Sequence, residues 1–270
     1  MPILNKDMTL CISLAGRPSN IGTRFHNYLY DELGLNFIYK AFTTTDLPAA
    51  IGGVRALGIR GCSVSMPFKD DVIALVDRMD ASAAAIDSVN TIVNDDGVLT
   101  AYNTDYLAVA SLLEQHGVPA DSTVMLRGSG GMAKAVAAAL KDAGFSEVTV
   151  VARNEGTGRR LADLYGFDWQ PGAGEAAAEL LINVTPLGMA GAEEDALSFD
   201  LETVAGAQTV FDVVAFPAET PLITAARAAG KPVITGAEVI ALQAAEQFVL
   251  YTGMRPSPEQ VAAASEFSRA

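Results

Sequence analysis

The hydrophobic pattern of this chain alternates between short apolar runs, which are typical of buried strands, and longer stretches with helical periodicity. In the first third the predicted strands are Leu10–Leu14, Phe37–Phe42 and Ser63–Met66, and the predicted helices are Thr23–Glu32 and Asp46–Leu57. A hairpin follows, with strands over Asn90–Val93 and Val98–Tyr102 around a turn at Asn94–Gly97. Such alternation predicts an α/β fold.

The rest of the chain continues this alternation more regularly, as a series of strand–helix–strand units. The predicted strands are Thr123–Leu126, Val148–Ala152, Leu180–Val184, Thr209–Val214 and Val233–Thr235. The predicted helices are Tyr106–Gln115, Met132–Ala143, Thr157–Leu164, Pro221–Ala229, Val239–Leu250 and Ser257–Ser268. The alanine-rich stretch Gly172–Glu179 is interpreted as a loop with a short helix. Because the regular series begins near Asn103–Tyr106, the sequence predicts two domains with a cleft between them.

Composition excludes several classes of protein. Of the 270 residues, 50% are hydrophobic and 19% are charged, so a folded, soluble protein is expected. No apolar run approaches the roughly 20 residues that span a bilayer, and the start of the chain lacks the features of a signal peptide. Two cysteines, Cys11 and Cys62, make neither a disulfide framework nor a metal cluster, so a cytoplasmic location is expected. The net charge of −14 argues against nucleic acid as a partner.

A glycine-rich segment between a predicted strand and a predicted helix is the clearest candidate for a binding site. It consists of Gly128, Ser129, Gly130, Gly131, Met132 and Ala133. A tight turn favours residues without a Cβ atom, which also lets backbone N–H groups approach a pyrophosphate. The N-terminus of the following helix adds partial positive charge. The segment therefore predicts a dinucleotide site, with a turn that binds no ligand as the alternative.

The end of the next predicted strand indicates which dinucleotide is bound. In NAD enzymes this strand ends in an acidic residue, which accepts hydrogen bonds from the ribose hydroxyls. Here Arg153 and Asn154 follow the strand. An arginine suits a 2′-phosphate, because its planar guanidinium can form two parallel hydrogen bonds with phosphate oxygens. NADP is therefore predicted in preference to NAD, and the alternatives are NAD itself or a solvated surface arginine.

Further motifs are spread along nearly the whole chain. They are Ser65–Lys69, Val89–Thr91, Asn103–Asp105, Gly128–Ala133, Ala152–Asn154, Asn183–Met189, Thr220–Leu222, Gly236 and Gln243–Phe248. In this order they resemble the motifs of the shikimate/quinate dehydrogenase family, and in particular its shikimate dehydrogenase-like branch. Taken singly, Lys69 and Asp105 have ordinary interpretations, as a surface lysine and as a helix cap.

The resemblance implies a fold, an activity and a set of site residues. The implied substrate domain is formed by residues 1–104 and completed by helices over 238–270, and residues 105–237 form a Rossmann-type NADP domain. Lys69 and Asp105 are the implied catalytic pair, and Ser65, Asn90 and Gln243 the implied substrate contacts. The implied cofactor contacts are the glycine segment, Arg153, Asn154, Thr185 and Gly236. The implied activity is the reversible, NADP-dependent oxidation of shikimate to 3-dehydroshikimate in aromatic amino acid biosynthesis, by a monomer or homodimer.

One segment departs from the family pattern. Of the carboxylate-binding motif Ser-x-Ser-Pro-x-x-His-Asn only His26 and Asn27 remain, while Asn20 and Gly22 stand in place of the two serines. Asn20 keeps an amide donor and Thr23 is a candidate to compensate, so both are included among the substrate contacts. One alternative is therefore a dehydrogenase acting on quinate, an amino-shikimate or another altered ring. A further alternative, a non-enzymatic NADP-binding regulator, is opposed by the retention of Lys69, Asp105, Asn90 and Gln243.

Four further residues bear on the cofactor and on catalysis. Thr157 occupies the second basic position of the family's cofactor motif, so a weaker preference for NADP is expected. Ala215 and Glu238 replace a tyrosine and a glycine of the family pattern. His26 lies in an apolar helical stretch, where a structural role is expected rather than a catalytic one.

Overall fold

The computed structural model describes residues 4–172, 174 and 177–269. Within them the chain folds as two compact units. One unit is formed by the residues up to Thr104 together with those from Ala241 onward, and the other by Asp105–Ile240. Each unit contains a six-stranded sheet. The predicted α/β class is therefore confirmed.

The first unit is built on a mixed sheet. Its strands are β1 (Thr9–Leu14), β2 (Phe37–Phe42), β3 (Gly61–Val64), β4 (Arg78–Met79), β5 (Thr91–Asp95) and β6 (Val98–Tyr102), in the order β2-β1-β3-β5-β6-β4. Strand β1 runs parallel to β2 and β3, whereas β5 is antiparallel to β3 and β6. The helices of its N-terminal part are α1 (Asn20–Glu32), α2 (Leu47–Ala56), α3 (Ala81–Ala84) and a 3₁₀ helix over Asp71–Leu75.

Hydrophobic side chains cover both faces of this sheet. On one face Ile51 and Val54 of α2 pack with Cys62. On the other face α1 packs with two C-terminal helices, α9 (Gly236–Thr252) and α10 (Pro258–Arg269), around Cys11. The approach of α9 is close, because a Cβ atom at Gly61 of β3 would overlap the Tyr251 ring. A glycine is therefore required there.

The second unit is a doubly wound parallel sheet of the Rossmann type. Its strands are β7 (Val124–Arg127), β8 (Val148–Val151), β9 (Asp168–Gln170), β10 (Leu180–Asn183), β11 (Thr209–Asp212) and β12 (Val233–Thr235), in the order β12-β11-β10-β7-β8-β9. Its other helices are α4 (Thr104–Gln115), α5 (Gly131–Asp142), α6 (Glu155–Tyr165), α7 (Leu201–Gly206) and α8 (Pro221–Ala228). The strand order reverses between β7 and β10, and ligands of such sheets bind beyond the carboxyl ends of the strands at this point.

Most predicted elements are present, and the differences have local causes. The strand predicted over Ser63–Met66 is wrong in its bounds, because β3 pairs with β1 from Gly61 and the chain turns at Ser65, whose carbonyl accepts a hydrogen bond from Phe68 N. The hairpin turn is tighter than predicted and consists of Asp96 and Gly97, with φ values of 51° and 89°. Both values suit a two-residue turn of the I′ type.

The short elements β4, β9 and α7 were not predicted from the hydrophobic pattern. Three residues of the stretch predicted as a loop and short helix, 173, 175 and 176, lie outside the described residues. Among the helices that the structure does describe, none is long and apolar enough to cross a membrane.

Candidate functional site

The glycine turn lies where the first strand of the parallel sheet meets a helix. Gly128 follows β7 with a φ of 127°, and a Cβ atom there would lie 2.7 Å from the Val184 side chain, so only glycine fits. At Gly130 and Gly131 a Cβ atom would meet no atom of the described residues within 4 Å. Gly130 is the N-cap of α5 and offers no side-chain hydrogen bond. The first N–H groups of α5 therefore have no side-chain cap, and they suit an anion.

A cavity of about 290 Å³ lies over this turn, within the second unit. It is lined by Gly128, Ser129, Arg153, Asn154 and Thr185, together with Arg127, Val151, Ala152, Pro171, Pro186, Leu187 and Glu193. Two guanidinium groups therefore lie on the same cavity. Burial lowers the pKa of the Arg127 guanidinium, and the neighbouring charge of Arg153 lowers it further. Positive charge at this position favours a phosphate.

The remaining predicted cofactor residues lie on nearby helix starts and do not line this cavity. Met132 and Ala133 lie in the first turn of α5, where Ala133 is buried. Gly236 is the first residue of α9, and a Cβ atom there would overlap the backbone of Val214. Gly236 is therefore required for the close packing of the α9 start against the residues that follow β11.

A buried polar network, which the sequence analysis missed, holds Thr185 in place. The Asn183 side chain accepts hydrogen bonds from Thr185 N (3.1 Å) and Thr185 Oγ1 (2.6 Å), and it donates one to Asp212 (3.0 Å). Asp212 also accepts hydrogen bonds from Thr220 Oγ1 (2.6 Å) and Val214 N (3.1 Å). Burial raises the pKa of Asp212, and these donors oppose the rise. The position of Asn183 and Asp212 at the ends of adjacent parallel strands was the available signal.

Asn90 of the first unit has a buried side-chain amide that uses only part of its hydrogen-bonding capacity. Its side chain is 2% exposed, and its Oδ1 accepts hydrogen bonds from Thr104 N (2.9 Å), Thr104 Oγ1 (3.2 Å) and Thr91 Oγ1 (2.8 Å). Its Nδ2 atom is buried and has no hydrogen-bond partner among the residues that the structure describes. A buried donor without a partner costs about 1–3 kcal/mol. Asn90 is thus fixed through its oxygen, while the hydrogen-bonding capacity of its amide nitrogen is unused.

Backbone hydrogen bonds tie the segment that carries Ser65 and Lys69 to the segment of Asn90. The Lys69 carbonyl accepts a hydrogen bond from Val89 N (3.2 Å), and the Asn90 carbonyl accepts one from Val64 N (2.7 Å). Ser65 is exposed and Lys69 is half-buried. Asp105 belongs to the other compact unit, where it is buried in the first turn of α4.

Polar groups surround the first turn of α1, where the two serines of the family motif are missing. Asn20, the first residue of α1, is exposed, whereas the hydroxyl of Thr23 is buried without a hydrogen-bond partner in the described part of the chain. A Cβ atom at Gly22 would lie 3.7 Å from the hydroxyl of Tyr39, and this hydroxyl lies 2.9 Å from Ser63 Oγ. Tyr39 and Ser63 were not identified from the sequence. Their strand positions gave no sign that their hydroxyls meet.

His26 is a buried packing residue, as expected from its apolar surroundings. Its ring is fully buried and stacks on the Tyr39 ring with a centroid distance of 4.4 Å. Burial lowers the pKa of His26 to about 3, although Gln247 opposes this change. Gln247 also donates a hydrogen bond to Thr91 Oγ1 (3.0 Å), and Gln243 lies one turn earlier on the same helix, α9.

Comparisons with known proteins agree with this fold. The model of the shikimate dehydrogenase substrate binding domain matches residues 20–92. A shikimate dehydrogenase-like protein of Haemophilus influenzae is 56% identical over 268 residues, which cover 99% of each chain. The shikimate dehydrogenase (NADP(+)) of Moorella thermoacetica is 36% identical over 95% of this chain and 92% of its own.

A solved structure extends the likeness to the whole fold. The shikimate 5-dehydrogenase of Thermus thermophilus, in complex with NADP(H) and shikimate, is 29% identical and superposes with a TM-score of 0.87. The alignment covers 97% of this chain and 100% of that chain. The resemblance found in the sequence motifs is confirmed, and the chain belongs to the shikimate dehydrogenase family of oxidoreductases.

Proposed function

We propose that this chain is an NADP-dependent dehydrogenase that reversibly oxidises shikimate, or a closely related cyclic hydroxy acid, with Lys69 and Asp105 as its catalytic pair. The observation that carries the proposal is the buried Nδ2 atom of Asn90, which lacks a partner within residues 4–172, 174 and 177–269 although the Oδ1 atom of the same side chain accepts three hydrogen bonds. A ring hydroxyl is a hydrogen-bond acceptor of the required chemistry.

The proposed substrate contacts come from the first unit. Ser65, Asn90 and Gln243 contact the ring hydroxyls in this proposal, and the first turn of α1 faces the carboxylate. Asn20 and Thr23 are the proposed partners of that carboxylate. The support for Thr23 is its buried hydroxyl, which has no partner among the described residues. Asn20 is supported by its position at the exposed start of α1.

The proposed cofactor site is the cavity over the glycine turn. The residues fit NADP because α5 begins without a side-chain cap and because Gly128 sits where a Cβ atom is excluded. In this proposal Gly128–Ala133 hold the pyrophosphate, Arg153 and Asn154 hold the 2′-phosphate, and Thr185 and Gly236 complete the set. When bound, NADP supplies the nicotinamide carbon that accepts a hydride.

Lys69 and Asp105 divide the proton chemistry between them in the proposed mechanism. Lys69 either takes the proton of the reacting hydroxyl with a neutral amine, or keeps its own proton and stabilises the alkoxide as it forms while the hydroxyl proton passes to water. The Asp105 carboxylate orients the Lys69 amine in both forms of the mechanism. Asn90 holds a neighbouring hydroxyl, so that the reacting carbon is presented in one orientation.

The Lys69→Ala variant tests the proposal. We expect kcat with shikimate and NADP to fall by at least about 100-fold, because general acid–base groups contribute roughly 10²–10⁴-fold. The dissociation constant for NADP is expected to change by less than about twofold. Lys40→Ala is the matched control, since Lys40 is an exposed lysine of β2 in the same unit. Turnover of Lys69→Ala near that of the wild type would refute the catalytic pair.

A second candidate function keeps the chemistry and changes the ring. It is favoured by the replacement of both carboxylate-binding serines, since Asn20 is exposed and Gly22 has no side chain. Quinate and amino-shikimates are the substrates to compare with shikimate. A value of kcat/KM that is at least tenfold higher for one of these compounds would replace shikimate as the substrate.

The cysteines support a cytoplasmic location, which we also propose. In the register of β1 and β3, Cys11 lies opposite Gly61 and Cys62 lies opposite Ile12. The two thiols are therefore on opposite faces of one sheet, and they form no disulfide. Burial raises the pKa of the Cys11 thiol to about 12. Unreactive, unpaired thiols are typical of a reducing compartment.

A further inference from the structure

A second cleft lies beside the glycine turn, in the same compact unit. It has a volume of about 450 Å³ and is lined by Ser129, Lys134, Thr157, Arg160, Leu161, Asp163 and Leu164. Ser129 also lines the proposed cofactor cavity. The hydroxyls of Ser129 and Thr157 lie 2.8 Å apart and form a hydrogen bond. This hydroxyl pair joins the glycine turn to the first turn of α6, and the second cleft is therefore adjacent to the cofactor cavity.

Two basic side chains line this cleft. Lys134 is the fourth residue of α5, and Arg160 lies three residues after Thr157 on α6, so that Arg160 and Thr157 share a helix face. Within residues 4–172, 174 and 177–269, neither Lys134 nor Arg160 forms an ion pair. The chain has 18 basic and 32 acidic residues, so this cleft brings together two of a small number of cations.

Arg159, which precedes Arg160 in the chain, contacts other side chains of the protein. Arg159 forms an ion pair with Glu155 (2.8 Å), and its guanidinium lies 4.3 Å from the centroid of the Trp169 ring. Arg159 is thus engaged within the protein, whereas Arg160 lines the cleft. The two residues have the same chemistry and adjacent positions on one helix, which makes Arg159 the matched control for Arg160.

We propose that Lys134 and Arg160 bind the 2′-phosphate of NADP from the side of the second cleft, together with the hydroxyls of Ser129 and Thr157. This inference rests on the proposed cofactor. A 2′-phosphate carries nearly two negative charges at neutral pH, and Arg153 supplies one positive charge against them. Lys134 and Arg160 supply the remainder, while Asp163 in the same cleft opposes them. The pair accordingly adds to the preference for NADP over NAD that Arg153 provides.

Isothermal titration calorimetry with NADP and with NAD tests the inference without relying on turnover. We expect the Lys134→Gln/Arg160→Gln double variant to bind NADP about tenfold more weakly, because each exposed charge contact contributes about threefold. Its affinity for NAD is expected to change by less than about twofold. The salt dependence of NADP binding should also weaken, since fewer charges are involved.

Two further variants make the test specific. Asp163→Asn is expected to tighten NADP binding about twofold and to leave NAD binding unchanged, a gain that a folding defect cannot produce. Arg159→Gln is expected to bind both dinucleotides as the wild type does. Wild-type affinity of the double variant for NADP, or equal losses for NADP and NAD, would overturn the inference. A wild-type protein that binds neither dinucleotide would instead refute the proposed function.

Discussion

Restoring a hydroxyl at Gly22 provides a direct test of why the substrate pocket departs from the family pattern. Gly22 is the third residue of α1, and the atoms nearest to a Cβ atom there belong to Tyr39 at 3.7 Å. This separation is an ordinary van der Waals contact, so a serine enters without strain. In addition, serine is more favourable than glycine inside a helix by roughly 0.5 kcal/mol.

The expected change in KM follows from the hydrogen bond that the new serine hydroxyl can donate to the substrate carboxylate. A hydrogen bond to a charged group contributes about 1.5–3 kcal/mol. Because α1 begins at an exposed residue, we use the lower value, which corresponds to a decrease in KM for shikimate of about tenfold. We expect kcat to remain within about twofold, since a carboxylate contact is made equally in the ground state and the transition state.

The assay compares kcat and KM for shikimate in the wild type, Gly22→Ser and Gly22→Ala. Alanine supplies the same Cβ atom and is more favourable than glycine in a helix by about 1 kcal/mol, so a KM that falls in the serine variant and not in the alanine variant is due to the hydroxyl. Equal KM values for these two variants would refute the reasoning. The missing serines would then not limit the binding of shikimate, and the second candidate function would lose its structural support.

Two predictions concern stability. The neutral ring of His26 is favoured in the folded state because its pKa is about 3 instead of 6.5, so stability is complete above pH 6.5 and is lost as the pH falls toward 3. At about 1.4 kcal/mol per pH unit, the loss in the free energy of unfolding reaches about 5 kcal/mol. In urea unfolding over this pH range, the His26→Phe variant should lose about 5 kcal/mol less than the wild type. Parallel curves of stability against pH for the two proteins would contradict this prediction. Gly61→Ala forces a Cβ atom against the Tyr251 ring and should lower the free energy of unfolding by about 1–3 kcal/mol. Gly52→Ala is the control and should cause no such loss, because a Cβ atom there meets no described atom within 4 Å. Equal melting temperatures of the two variants would contradict the clash.

The hydrophobic pattern predicted the elements that are long or fully buried. Strands such as β8 and β10 are mostly apolar, with one polar residue each, as expected for a parallel sheet covered on both faces. In contrast, β9 contains Asp168 and Gln170 and becomes a strand only by pairing with β8. Trp169 at its centre is held by a hydrogen bond from its indole to the Ala152 carbonyl (3.2 Å). Such a strand depends on contacts distant in sequence, which a local pattern does not contain.

The same distinction applies to the candidate site. The glycine turn was found in the sequence because its strand, glycines and helix are consecutive, so the whole motif is local. Asn90 was identified as a residue through the family resemblance, but the availability of its amide nitrogen depends on Thr104, which lies 14 residues away. The network of Asn183 and Asp212 spans 29 residues and was missed. Residue type is thus readable from the sequence, whereas the atom that remains available to a ligand is not.

Arg159 and Arg160 illustrate this limit most clearly. They are identical in type and adjacent in sequence, so no composition or motif distinguishes them. A helix rotates by roughly 100° between consecutive residues, which is enough to direct the two side chains to different surroundings. Arg159 is engaged by Glu155 and Trp169, and Arg160 lines the cleft with Thr157. In the proposed site this rotation therefore decides that Arg160, and not Arg159, adds its charge to that of Arg153 at the phosphate.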